Sequence, residues 1–285
     1  CNMDKNIDDS PLSRRSFLGN SGKIAGVGAL AGMTLPVVHG KSDDVTKSAL
    51  VGCGGRGTGA ASNALSVSLA NGPTKLVAKA DVFQRKMDSS YNGLKKKHKD
   101  KVDVPPDRRH IGFGSYKKAM DTLDPGDIAI FTTPCAFRWV HFEYAIKKGL
   151  NVFMEKPVTP DGFSSRKMLE LNKLAKKKNL KVGVGLMCRH SRARGELFNR
   201  IKEGQLGEIN LLRAYRLHGP VASCYSLPPK KNESELLYQI RRFHSFIWAS
   251  GGCFNDFYIH NIDECCWMKG AAMGDPHNAG GDPFD

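Results

Sequence analysis

The chain has 285 residues, 40% of them hydrophobic, enough for a sizeable buried core and for two domains. Its net charge of +15, from 43 Lys and Arg against 28 Asp and Glu, gathers in runs such as Lys95-Lys96-Lys97-His98-Lys99 and Lys176-Lys177-Lys178. These runs fall in helical stretches without interleaved aromatics and read as solvated faces, so no nucleic-acid partner is expected. The eight cysteines show no C-x-x-C spacing, which argues against a zinc site or a disulfide scaffold and leaves most of them as buried thiols.

The first segment, residues 1–44, is a different kind of sequence. Arg14-Arg15 within SRRSFLG precedes a Gly- and Ala-rich apolar run over 24–38. That run is shorter than the ~20 residues of a membrane span, so no stable span is expected. The pattern is that of a twin-arginine export signal, the plainer alternative being a basic tail, and it implies a periplasmic or exported protein. This route carries proteins already folded, which suits a chain that takes up a cofactor and keeps free thiols. The chain opens on Cys1, with Met3 the natural start, and reads as a fragment at this end.

From residue 45 the pattern alternates. Short apolar runs rich in Val, Ile and Phe occupy 48–51, 75–80, 127–132, 151–154 and 181–186, with helical stretches such as 60–69, 141–148 and 164–178 between them. Strand and helix in this rhythm predict an α/β fold, a doubly wound parallel sheet of the Rossmann kind over residues 45–187.

Directly after the first run, Gly52-Cys53-Gly54-Gly55-Arg56-Gly57 fits G-x-G-x-x-G and opens a helix. The first glycine permits a tight turn, the second lets a pyrophosphate approach the backbone, and the third allows close helix–strand packing. Asp81 ends the next strand, where a carboxylate accepts from a ribose 2′-hydroxyl. Gly52, Gly54, Gly55, Arg56, Gly57 and Asp81 are therefore candidate NAD-binding residues. Arg85 or Lys86 could instead meet a 2′-phosphate, which keeps NADP open.

Further motifs follow in order: Thr133-Pro134 after the fourth strand, His141 to Gly149 as H-x-x-x-A-I-x-x-G, Glu155-Lys156-Pro157, Gly185 to Arg189, and D-x-x-x-H within GGCFNDFYIHNID at 251–263. In this order and spacing the chain resembles the glucose-fructose oxidoreductase, inositol dehydrogenase and MocA group (Gfo/Idh/MocA) over about residues 48–270. The resemblance implies hydride transfer between a sugar or cyclitol hydroxyl carbon and nicotinamide, on a small carbohydrate or cyclitol substrate. It places Thr133, Pro134, Glu155 and Lys156 beside the cofactor, makes Lys156, Asp256 and His260 the catalytic set, and implies a homo-oligomer for the full-length form. Two other classes stay open: an NAD-dependent glycoside hydrolase of the same fold, and a truncated, non-catalytic nucleotide-binding protein.

The residues support that chemistry independently. Lys156 follows a buried strand at the carboxyl edge of the sheet, where ligands of open α/β folds bind, and can act as base or as donor to a substrate hydroxyl. Asp256, His260 and Asp263 fall at i, i+4 and i+7, so a continuous helix would present all three on one face, with Asp256 fixing the His260 tautomer or holding substrate. The same triplet could suggest a metal, but the resemblance favours a supporting and substrate role and no metal is expected. Arg189 and Tyr258 either line the sugar pocket or serve structure. Family members continue beyond the D-x-x-x-H helix into a large antiparallel sheet. Residues 188–285, which open with a strand at 208–217, are thus expected to form a C-terminally truncated α+β substrate domain, with Phe254, Ile259, Ile262 and Trp267 uncovered.

Overall fold

A computed structural model of the protein describes residues 45–67, 72–217, 219, 223 and 227–272. The twin-arginine stretch and the last thirteen residues lie outside this set. All described residues fall in one contact unit, 43–285. No described helix is long and apolar enough to cross a membrane.

Each apolar run forms a parallel strand. β1 (Thr46–Val51) leads through the glycine loop into α1 (Gly55–Ser66), then β2 (Thr74–Asp81), α2 (Gln84–His98), β3 (Arg109–Ile111) and α3 (Ser115–Met120). β4 (Ile128–Phe131), α4 (Arg138–Lys148), β5 (Asn151–Met154), α5 (Gly162–Lys177) and β6 (Val182–Val184) complete the α/β part. The strand order is β3-β2-β1-β4-β5-β6, parallel throughout, as expected for a Rossmann sheet. Chain direction across the sheet reverses between β1 and β4. That switch point opens a crevice at the strands' carboxyl ends, between the loops after β1 and β4.

Both faces of the sheet are covered. On one, Ala119 and Met120 of α3, Phe142 and Ile146 of α4 and Leu171 of α5 pack on Phe131 and Met154; on the other, Ala61 and Leu65 of α1 and Met87 and Leu94 of α2 pack on Leu50 and Ile130. The central strands are buried on both sides, which is why they read as continuous apolar runs. α4 ends at Gly149 in the left-handed region (φ 73°), and its amide donates to the last-turn carbonyl of Ile146.

One core residue breaks the pattern. Lys79, inside β2, has no exposed surface, and among the described residues its Nζ donates only to the Met87 carbonyl, at 3.3 Å. Burial lowers its pKa from 10.5 to about 8. Between those values the unfolded chain binds a proton that the folded one does not, so stability rises with pH across about pH 8 to 10.5. The charge costs on the order of 3 kcal/mol at neutral pH, since each tenfold loss of proton affinity on folding is worth about 1.4 kcal/mol. Lys79→Met is expected to stabilise the protein by about 1–3 kcal/mol at neutral pH and to flatten the alkaline rise. Urea unfolding at neutral and alkaline pH checks this; a lower midpoint at neutral pH would show the ammonium to be stabilising.

Beyond β6 the described residues form helices only: α6 (Arg192–Lys202), α7 (Glu235–Arg241), α8 (Ile247–Ser250), α9 (Gly252–Asp256) and α10 (Ile259–Ala272), besides short 3-10 turns. The strand expected at 208–217 is absent. Among the described residues no neighbouring strand offers it a ladder; its Ile209 and Tyr215 carbonyls instead accept from Lys269 Nζ and Asn261 Nδ2 of α10, and Leu211, Tyr215 and Leu217 stand exposed. α6 and α10 share a small core in which Phe198 stacks on Trp267 at 4.9 Å. Trp267 is therefore buried, contrary to expectation, whereas Phe254 is exposed.

Candidate active site

The loop after β1 is built around contacts that only glycine allows. Gly52 lies at φ 99°, and its carbonyl accepts from Thr132 Oγ1 at 2.6 Å, joining the ends of β1 and β4. A Cβ on Gly57 would stand 2.0 Å from the Gly52 carbonyl oxygen and 2.4 Å from Thr132 Oγ1. By contrast, a Cβ on Gly54 or Gly55 would meet no protein atom within 4 Å, and both residues line a cavity of about 560 Å³. No side chain caps the N-terminus of α1, and no acidic residue occupies its first turn. Open space over two glycines, beside free amides at the positive end of a helix, is what an approaching pyrophosphate requires.

Asp81 completes this end. Its Oδ2 accepts from the Cys53 amide at 2.6 Å and its Oδ1 from the Phe83 amide at 2.8 Å, fixing the carboxylate at the cavity wall. Lys86, the one of the two predicted cations among the lining residues, has its Nζ 4.8 Å above the Phe83 ring. Cys53 is buried against the Ala80 carbonyl, and burial pushes its thiol up to about 12, as it does for Cys135. The six described cysteines are all free, but only these two are buried.

The same cavity reaches the motifs after β4 and β5, with Thr133, Pro134, Glu155 and Lys156 among its lining residues. Glu155 is buried and its Oε1 accepts from Arg56 Nε at 2.8 Å, tying the start of α1 to the end of β5. Arg138, at the start of α4, lies wholly buried; its two terminal nitrogens donate to the carbonyls of Thr133 (2.6 Å) and Glu155. It thereby holds the β4 and β5 loops in one arrangement. Burial lowers its pKa to about 10, still charged at neutral pH. Burial likewise drives His141 down to about 3, so this lining imidazole is neutral and serves as wall, packed on Tyr116 at 4.5 Å.

Lys156 Nζ donates to the Asp256 backbone carbonyl at 2.6 Å and to Asp256 Oδ1 at 3.1 Å. Burial alone would raise the Asp256 carboxyl, but the His244 hydrogen bond and the Lys156 charge outweigh it and hold the pKa below the ordinary value. The segment carrying Asp256 is anchored to the α/β part by Asn255 Nδ2 donating to the Thr159 carbonyl at 2.6 Å and by Cys135 Sγ on the Ala249 carbonyl.

Two expectations are corrected here. Asp256, His260 and Asp263 do not share one helix face, because Asp256 ends α9 and the chain turns through Phe257 and Tyr258 before α10 begins at Ile259. The imidazole beside Asp256 is accordingly that of His244, 3.3 Å away, rather than His260. His260 is buried, its Nδ1 has no partner among the described residues, and burial together with the charges of Lys156 and Arg216 lowers its pKa, which favours the neutral ring. Arg189 grips Asp263 through Nε (2.9 Å) and Nη2 (2.8 Å) above Trp267, and Tyr258 stacks on Phe254; neither is among the cavity-lining residues. Sequence reasoning missed Arg138 and His244, which are brought to the cavity's polar groups by contacts 17 and 12 positions away in the chain.

No family model matches the chain. Inositol 2-dehydrogenase from Corynebacterium glutamicum is 29% identical over 164 residues, covering 57% of this chain and 41% of that one. Among solved structures, scyllo-inositol dehydrogenase from Lactobacillus casei with bound cofactor NAD(H) and scyllo-inositol superposes with a TM-score of 0.55 at 22% identity, covering 79% of this chain and 56% of that chain. The WlbA dehydrogenase from Bordetella pertussis, in complex with NADH and UDP-GlcNAcA, gives 0.55 at 17% identity over 80% of this chain and 56% of that one. This chain thus spans about half the length of these proteins. The Rossmann fold is shared with them, and the resemblance to the Gfo/Idh/MocA group read from the motifs is borne out.

Proposed function

We propose that this protein is an NAD-dependent oxidoreductase moving a hydride between a hydroxyl-bearing carbon of a cyclitol or sugar and nicotinamide. The observation that carries the proposal is one cavity lined both by the glycine loop with Asp81 and by Lys156 with Asp256. The bound nicotinamide would supply the hydride acceptor or donor; the chain's own residues supply position and proton handling. Gly54, Gly55 and the first turn of α1 would receive the pyrophosphate, and Asp81 the ribose. Lys156 is the amino group at the cavity wall that can donate to a substrate hydroxyl when protonated or take its proton when neutral, with Asp256 holding it in place. The inositol dehydrogenases among the relatives support a cyclitol as substrate.

NAD is favoured over NADP because a 2′-phosphate would meet the fixed Asp81 carboxylate. Asp81→Ala is expected to narrow the preference for NAD, measured as the ratio of the two dissociation constants; an unchanged ratio would remove Asp81 from the ribose site. The function itself is tested by titrating NAD and then following NADH formation with a panel of cyclitols and sugars. Release of an aryl leaving group without net NADH would point to glycoside cleavage instead. Export rests on Arg14 and Arg15, and replacing both with Lys is expected to retain the protein in the cytoplasm. Undiminished periplasmic recovery would count against the signal.

A further inference from the structure

Asp256 has two oxygens, and the function proposed above uses only one. Oδ1 faces Lys156 Nζ, whereas Oδ2 faces His244 Nε2 at 3.3 Å. On the other side of the imidazole, His244 Nδ1 lies 2.8 Å from Ser223 Oγ. The Asp256 carboxylate can only accept, so a neutral ring that bonds to it carries its proton on Nε2 and leaves Nδ1 to accept from the Ser223 hydroxyl, which itself accepts from the His244 backbone amide at 3.4 Å. In that tautomer the Nε2 proton faces Asp256 Oδ2 across 3.3 Å. Ser223 is itself held: its carbonyl accepts from Ser245 Oγ, and it is buried. The imidazole packs against the Phe243 ring at 3.8 Å, with Phe257 at 6.3 Å. His244 and Phe243 both line the cavity.

We propose that His244, held between Ser223 and Asp256, is a positioning residue of the reaction centre that orients the Asp256 carboxylate so that Oδ1 stays on Lys156. The inference rests on the oxidoreductase function proposed above. It assigns the imidazole behind the acid to a residue twelve positions before it, in a different turn of the chain, and not to the histidine of the D-x-x-x-H motif. Lys156 sits at the cavity wall with 21% of its side chain exposed, while Asp256 behind it is 9% exposed. A long lysine stem at such a boundary has several rotamers open to it. Its place is fixed by the Asp256 backbone carbonyl and carboxylate together, and the carboxylate keeps its share of that contact only if its second oxygen is also held.

The test has two readouts on the 285-residue chain. Long-range ¹H–¹⁵N spectra of the histidine side chains, with His244 assigned by its loss in His244→Gln, report the tautomer at a pH where the ring is neutral. The proton is expected on Nε2 in the parent, with the His244 nitrogens displaced in both Ser223→Ala and Asp256→Asn. In steady-state assays on a turned-over cyclitol or sugar, His244→Gln is expected to lower kcat by roughly tenfold to a hundredfold, since misplacing reacting groups by about an ångström costs up to the latter. Substrate KM and NAD affinity should move less than about threefold. Glutamine keeps a donor for Asp256 but not the rigid ring, so a fold preserved by circular dichroism isolates the positioning effect. His244 nitrogens that neither Ser223→Ala nor Asp256→Asn displaces would overturn the proposal, as would parental kcat in His244→Gln. If the parent oxidises no cyclitol or sugar with NAD, the functional proposal fails instead, and the spectra still decide whether His244 holds Asp256.

Discussion

Gly54→Val is expected to fold like the parent and to lose nucleotide binding, whereas Gly57→Ala is expected to damage the fold. The two glycines stand three residues apart in one motif, yet their surroundings are opposite. Gly54 has an extended backbone (φ −69°, ψ −176°) that valine adopts without strain, and a Cβ there meets nothing within 4 Å. A Cβ on Gly57 would sit at 2.0 Å from a buried carbonyl oxygen that already accepts from Thr132, so α1 must move off the β1–β4 junction. Overpacking of this kind costs about 1–3 kcal/mol, and more where backbone is the obstacle. For Gly54 the cost falls on the ligand, because the added methyls occupy the space into which a pyrophosphate must come. A loss of at least about 10²-fold in NAD affinity is expected, about 3 kcal/mol. Thermal melts by circular dichroism and calorimetric titration with NAD separate the two effects. A Gly54→Val protein that binds NAD like the parent would take the glycine loop out of the cofactor site.

Much of this arrangement is legible in the sequence because it is local. The five strands read as apolar runs are there; β1, β2 and β4 are buried on both faces and have no alternation to disguise them, while β5 and β6, less buried, are marked by their Val- and Phe-rich composition. β3 escapes notice because Arg109-His110-Ile111 is three residues long, polar at its start and half-buried at the sheet edge. The glycine loop, Asp81 and Glu155-Lys156-Pro157 are recognisable from composition and spacing, and the fold brings all of them to one cavity. What the sequence conceals is set by partners far along the chain. Arg138 reads as an ordinary basic residue at a helix start; only the fold shows its guanidinium closed between two loop carbonyls. The D-x-x-x-H spacing suggests one helix, but Gly251 and Gly252, at φ 73° and 77°, introduce a short helix that stops at Asp256 and resets the rotation before His260. Periodicity is a sound guide only while the helix is unbroken. The segment 208–217 shows the converse error, a run with no strand beside it among the described residues, two of whose carbonyls are taken by side chains of α10.

Lys156→Ala is expected to lower kcat by ~10²-fold or more while leaving NAD affinity nearly unchanged, because positioned proton transfer is worth that much and neither the glycine loop nor Asp81 bonds to Lys156. The alanine variant by itself is ambiguous. Removing the ammonium leaves the buried Asp256 carboxylate with His244 as its remaining side-chain partner, and breaking a buried pair typically costs about 3–5 kcal/mol. Part of any loss of activity could then be loss of structure. Lys156→Arg removes the ambiguity. A guanidinium keeps the positive charge beside Asp256 and can donate to both its carbonyl and its carboxylate, but it does not give up a proton in a protein. If Lys156 exchanges a proton with the substrate hydroxyl, the arginine variant should melt close to the parent and still turn over as slowly as the alanine variant. If Lys156 acts only as a fixed charge, arginine should restore much of the rate. Equal melting temperatures with restored kcat in Lys156→Arg would therefore deny the lysine its proton-handling role and leave electrostatic positioning as its contribution.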